Sequence, residues 1–294
     1  MPLRKKQKKE IKMLPIAACM AMLIKVNTVF ADKISESMDV IPAVELYDGR
    51  KMQKAGFGNK KRMKTLNKYG YMLSSHHYDP IMEDFIRFSQ HSRKPVLDGG
   101  AAYGVASIPA LKKGATVIAN DIELQHLSIL ANNMNLSDSQ KSRLYLNPKN
   151  LVSEAQFPKN SLGGILYARV LHFFNPNEVI HLLEKSHQWL DCDGHLFIST
   201  MTPYHYKLNG FEKEYKAKME AGNPWPGEIK DIDKYIFSEK GNIPDYLHVF
   251  DTLVLARVLT GCGFLVKKIF MFKHGHVCGH DHPYDYIGVI AVKK

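Results

Sequence analysis

The chain has 294 residues, 45% of them apolar and 23% charged. That balance excludes a disordered or fibrous chain and suits one main globular domain with additions. The formal charge is +11, but residues 1–31 hold seven Lys or Arg against one Glu, so only +5 belongs to the rest. An excess that mild predicts a solvated basic surface rather than a nucleic-acid partner.

At the N-terminus, Arg4, Lys5, Lys6, Lys8, Lys9 and Lys12 precede an apolar stretch from Met13 to Ile24, and Val29-Phe30-Ala31 is similar to a cleavage site. This is the pattern of a secretory leader over residues 1–31. Twelve helical residues would cover ~18 Å of a ~30 Å hydrocarbon core, so no spanning helix is predicted. The other reading is a basic anchor touching a membrane surface. Cleavage after Ala31 would leave Cys192, Cys262 and Cys278, an odd number and no disulfide framework.

Residues 32–92 are predicted to form a helical or irregular cap. Asp79-Pro80 starts a helix with Ile81, Phe85 and Phe88 on one face, preceded by a cluster of Tyr69, Tyr71, His76, His77 and Tyr78. The cluster either packs that helix or touches a ligand. From residue 93 onward, strands and helices alternate, which predicts an α/β sheet that is largely parallel.

Val96-Leu97-Asp98-Gly99-Gly100-Ala101-Ala102-Tyr103-Gly104 reads as an apolar strand that ends in an acid and turns through glycines into a helix. Gly100 and Gly104 let the backbone bend and a ligand approach the N–H groups there. Counted from Gly99 the turn is G-x-A-x-x-G, a dinucleotide fingerprint with Ala101 in place of the middle glycine. One unit on, Thr116-Val117-Ile118-Ala119-Asn120 ends in Asp121, a carboxylate at a second strand tip that can accept ribose hydroxyls. Residues 142–146 form a third strand leading to Asn150-Leu151, and residues 164–168 a fourth, followed by Arg169-Val170-Leu171-His172-Phe173-Phe174.

Asn175-Pro176-Asn177-Glu178 opens a helix with Val179, Leu182, Leu183 and Leu190 on its apolar face, and Asp193-Gly194 is expected to end it before a fifth strand over 195–199. Residues 202–248 hold Tyr204, Tyr206, Phe211, Tyr215, Trp225 and Tyr235, the makings of an acceptor-binding lid or of a small core of its own. Residues 264–272 and 284–292 should pair as an antiparallel hairpin. Between them, His274, His276, Cys278, His280 and His282 are the right types for a metal, but Gly275, Gly279 and Pro283 favour an exposed loop, and no metal is predicted.

Counted from Asp98, D-x-G-x-A-x-G resembles the first motif of class I S-adenosylmethionine-dependent methyltransferases, and the resemblance extends from about Lys94 to Lys294. It implies a Rossmann-like, mostly parallel sheet of seven strands ending in the antiparallel hairpin, with an N-terminal cap and the 202–248 insertion after the fifth strand. It also implies S-adenosyl-L-methionine as cofactor, met by Asp98, Gly99, Gly100, Ala102, Gly104, Asp121, Ile122, Asn150, Leu151 and Arg169. Asp98 would lie near the amino-acid part, Asp121 at the ribose and Asn150 at the adenine, where the family usually has an acidic or polar residue.

His172 is the candidate base for a hydroxyl acceptor, the alternative being that it packs or caps. Tyr204 and Trp225 are the candidates for substrate contact. The absence of an Asn/Asp-Pro-Pro-aromatic run after the fourth strand points to a small-molecule or lipid-like acceptor. The alternatives are a noncatalytic binding protein on the same fold and an NAD-dependent oxidoreductase, disfavoured by Ala101 and the terminal hairpin. Supply of the cofactor favours a cytoplasmic or inner-membrane-associated protein, against export after cleavage near Ala31.

Overall fold

The computed structural model describes residues 34–46, 62–67, 69, 71–73, 79–133, 135–236, 243–273 and 284–294. The leader, the side chains of Tyr71, His76, His77 and Tyr78, and the cluster from His274 to His282 lie outside them. Among the described residues no helix is long and apolar enough to cross a membrane.

A short helix over residues 34–38 (α1) leads to strand β1 (Ile41–Pro42), followed by a hairpin of β2 (Arg62–Lys64) and β3 (Tyr71–Leu73). The cap is therefore not only helical and irregular, as expected, but contributes strands. Helix α2 (Pro80–Ser89) begins where its sequence says, with Asp79 Oδ1 accepting from the amides of Ile81 and Met82. Proline at the first position loses nothing there, because that N–H has no helical partner.

The alternation that follows is β4 (Val96–Gly99), α3 (Ser107–Lys112), β5 (Val117–Asn120), α4 (Leu124–Ala131), α5 (Asp138–Lys141), β6 (Leu144–Asn147), β7 (Leu162–Ala168), α6 (Pro176–Trp189) and β8 (Leu190–Met201). The insertion carries α7 (Phe211–Glu220), β9 (Glu228–Ile229) and β10 (Leu247–His248). Helix α8 (Thr252–Gly261), β11 (Phe264–Phe272) and β12 (Tyr286–Lys293) complete the chain.

Among the described residues the main sheet has eight strands in the order β1-β6-β5-β4-β7-β8-β12-β11, one more than expected. Strands β6, β5, β4, β7 and β8 run parallel, while β12 pairs antiparallel with β8 and β11 with β12, the predicted hairpin. The extra strand is β1, antiparallel to β6. Two residues are too short to show an alternating pattern, and Pro42, which lacks an N–H, is tolerated because the strand is at the edge.

Both faces of the parallel strands are buried, as crossover helices require. Leu97, Ile118 and Ile165 point to one core with Leu182, Leu183, Trp189 and Leu255. Their neighbours Val96, Val117 and Leu166 point to the other, with Ile81, Phe85, Leu111 and Leu127.

Helix α6 has the expected cap: Asn175 Oδ1 accepts from the amides of Asn177 and Glu178, and Glu178 accepts from the amide of Asn175. Its end differs from expectation. The helix stops at Trp189 and β8 starts at once at Leu190, so Asp193-Gly194 lie inside the strand, Asp193 at φ 59°. The reason is packing: Trp189 is buried edge-on against Phe157, and Leu190 pairs with Leu162, which pins the chain before the glycine is reached. The insertion builds its own core from Leu208, Phe211, Tyr215, Ile229, Ile232 and Leu247.

Candidate functional site

Strand β4 hands the chain to β5 on one side and lies beside β7 on the other, so the connections leave its carboxyl end in opposite directions and open a crevice there. A cavity of about 300 Å³ occupies that crevice, lined by the turn after β4, by Asn120, Asp121 and Ile122 at the end of β5, by Lys149, Asn150 and Leu151 after β6, and by residues 168–170 after β7. Thr65, Asn67, Tyr69 and Met82 from the cap and Phe173, Phe174 and Glu178 from around the start of α6 close the remaining sides.

The turn after β4 follows the sequence reading. Gly100 stands at φ +75°, and a Cβ there would lie 2.4 Å from Val170 Cγ2. Ala102 also adopts a left-handed conformation, φ 46°, which directs its N–H to Asp121 Oδ2 at 2.9 Å. Gly99 and Gly104 do not line the cavity. Gly99 backs onto the Tyr167 ring, and Gly104, at φ +82°, leaves room for Leu130 of α4. Both shape the turn from behind.

The two carboxylates are held differently. Asp98 is buried, and Ser107 Oγ donates to its Oδ2 at 2.6 Å. Burial outweighs that hydrogen bond and pushes the carboxyl up to about 6. Asp121 accepts three donors: the Ala102 amide on Oδ2, and the Glu123 amide at 2.9 Å and His126 Nδ1 at 3.0 Å on Oδ1. A carboxylate has about four lone-pair directions, so the remaining capacity is on Oδ2.

Asn150 lines the cavity with its oxygen committed, since Oδ1 accepts from the amides of Val152 and Ser153. Its amide nitrogen is the group left for a ligand. Lys185 Nζ donates to the carbonyls of Leu151 and Val152 and so fixes the same loop from the core side. Ile122 is exposed and, with Leu151, offers an apolar contact for a flat ring.

Arg169 lines the cavity in a left-handed conformation, φ 60°, its amide donating to Ser199 O at 2.7 Å. Its guanidinium carbon sits 4.4 Å above the Tyr286 ring, and Nε is 3.8 Å from Asp79 Oδ2. Asp79 thus caps α2 with one oxygen and, with the other, accepts from Ser199 and faces Arg169.

Besides Gly99 and Gly104, three more expected residues do not line the cavity. His172 is buried in the turn after β7, with Nδ1 3.4 Å from Thr200 Oγ1. Burial and the neighbouring Arg169 lower it to about 3, so it is both shielded from the cavity and a poor proton acceptor. Tyr204 packs edge-on to Tyr215 of the insertion's core, and Trp225 stands edge-on to His248 and packs against the core of the main sheet.

Of the cluster before α2, Tyr69 reaches the cavity, edge-on to Phe173 with centroids 5.2 Å apart. Ser107 and His126, which grip the two carboxylates, were missed. Each lies on a helix following its carboxylate in sequence, at a spacing that no strand or helix period singles out.

No protein-family model matches the chain, and no curated protein matches it in sequence. Solved structures do match its fold. An S-adenosylmethionine-dependent methyltransferase from Methanosarcina mazei superposes with a TM-score of 0.54 at 16% identity, over 74% of this chain and 98% of that one. A second, from Mesorhizobium loti, gives 0.53 at 17% identity, over 72% and 98%. The 1,6-didemethyltoxoflavin-N1-methyltransferase of Burkholderia thailandensis, solved with that substrate and S-adenosylhomocysteine, gives 0.51 at 17% identity, over 73% and 79%. The chain has the Rossmann-like fold of these proteins.

Proposed function

We propose that this protein is a class I methyltransferase that uses S-adenosyl-L-methionine to methylate a small-molecule or lipid-like acceptor. The observation that carries the reading is the pair of carboxylates, Asp98 and Asp121, lining one cavity at the carboxyl ends of neighbouring parallel strands. The donor set fits a cationic nucleoside. Buried Asp98 is costly to ionise and is relieved by a positive ligand group, Asp121 keeps accepting capacity for a sugar hydroxyl, and Ile122 and Leu151 suit a base edge-bonded by the Asn150 amide.

The bound cofactor supplies an electrophilic methyl on a sulfonium. The protein's own residues do the rest by binding, orientation and exclusion of water. Gly100 lines the cavity with its backbone while its missing Cβ makes room for Val170, Arg169 offers a cation to the ligand's carboxylate, and Tyr69, Met82, Phe173 and Phe174 give the acceptor an apolar compartment. Holding acceptor and methyl within ~3–3.5 Å in a dry site supplies much of the acceleration without a dedicated base. His172 has no access with which to act as one. The apolar acceptor compartment supports a small or lipid-like substrate, and the toxoflavin enzyme provides a small-molecule precedent on the same fold.

Calorimetry against S-adenosylmethionine, S-adenosylhomocysteine and NAD tests the reading. Binding of the first two is expected, and binding of NAD alone overturns it. Transfer of labelled methyl from the cofactor to extract metabolites then separates an enzyme from a noncatalytic binding protein.

A further inference from the structure

His126 is fully buried, standing edge-on to the Tyr103 ring with centroids 4.8 Å apart, and neither nitrogen is idle. The Leu66 amide donates to Nε2 at 3.1 Å. A nitrogen that accepts carries the lone pair, so the proton sits on Nδ1 and is donated to Asp121 Oδ1 at 3.0 Å. Leu66 belongs to the cap segment that brings Thr65, Asn67 and Tyr69 to the cavity. One imidazole therefore ties two walls of the site that are about 60 residues apart in sequence.

We propose that His126 is a positioning residue that latches Thr65, Leu66 and Asn67 of the cap onto the cavity through the carboxylate that grips the sugar. With the Glu123 amide, it occupies Oδ1 and turns Asp121 so that the accepting capacity on Oδ2 is offered to a ligand hydroxyl. The same ring holds Leu66, so segment and carboxylate are oriented together. The inference rests on the nucleoside reading of the cavity. A hydrophobic residue of similar size would pack against Tyr103 but could make neither bond.

The test uses full-length protein, with S-adenosylhomocysteine as probe in calorimetry and with hydrogen exchange at the Leu66 amide. His126→Ala is expected to weaken binding about tenfold, the loss that follows from removing one hydrogen bond to a charged group, and to speed Leu66 exchange. His126→Asn, whose amide nitrogen takes the place of Nδ1, should restore affinity without restoring Leu66 protection.

Asp121→Ala keeps the imidazole but removes its anchor, and should speed exchange at Leu66, which Asp121 does not touch. This arm keeps the proposal falsifiable if His126→Ala fails to fold. Unchanged affinity in His126→Ala together with unchanged Leu66 exchange in both alanine variants would overturn the latch. Failure of the unmutated protein to bind S-adenosylhomocysteine would instead overturn the methyltransferase reading, and Leu66 exchange in Asp121→Ala would still decide whether the latch exists.

Discussion

Asp98 and Asp121 face one cavity with unlike sets of hydrogen-bond donors. Asp121 already has three donors before any ligand arrives. Removing it as Asp121→Ala should weaken S-adenosylhomocysteine binding about ten- to a hundredfold, measured by calorimetry, because a hydrogen bond to a charged group is lost. Asp98 has one strong donor, Ser107, and burial holds it up at about 6. As pH rises from about 4 to about 6, the unfolded chain loses this proton first, the folded form binds more protons, and stability falls. Above that range, the ionised carboxylate costs the ligand-free fold on the order of 3 kcal/mol. Asp98→Asn keeps an acceptor for Ser107 and should remove the decline, raising denaturant midpoints at pH 7 and above. In unmutated protein, affinity for the cationic cofactor should drop as pH falls below about 6, where Asp98 becomes neutral.

At the scale of elements, caps and close approaches set the geometry that the residues exploit. Helix α6 begins under a reciprocal box between Asn175 and Glu178, and Glu178 also lines the cavity, so its cap and the site share a residue. Asn175→Ala should cost about 1 kcal/mol in chemical denaturation, the usual value for a lost N-cap. Gly104 has no side chain because Leu130 of α4 fills that space: a Cβ would stand 2.3 Å from Leu130 Cδ1, at φ +82°. Gly104→Ala should destabilise by about 1–3 kcal/mol, since it combines overpacking with an unfavourable backbone conformation. The loss should appear as a lower Tm, and it should also weaken cofactor binding, because Ala102 in the same turn presents its amide to Asp121. The lid expectation belongs at this scale as well. The rings of Tyr204 and Trp225 are taken up by Tyr215, His248 and Arg257, so the apolar wall of the cavity is instead built by Tyr69 and the residues beside α6.

For the whole molecule, folding and ligand binding are linked, since the cavity is assembled from the cap, four strand ends and the start of α6, none of which exists as a site in the unfolded chain. S-adenosylhomocysteine at a hundred times its Kd should therefore stabilise by about 2.7 kcal/mol, read as a rise in Tm that NAD does not produce. Much of this architecture was legible in the residues: apolar runs buried on both faces for β4, β5 and β7, the Asp79-Pro80 and Asn175-Pro176 helix starts, the glycine turn, and the terminal hairpin. Local physics decides those features, because strand burial, capping and φ preference act within a few residues. The sequence alone thus determined the α/β fold and the two carboxylates at neighbouring strand tips. Only the tertiary structure decided that β1 adds an eighth strand, that α6 runs straight into β8, that His172 is shielded, and that Ser107 and His126 hold the two acids in unlike ways. Each of these depends on which distant surface a side chain meets, as Leu66 meets His126, and no local pattern encodes that partner.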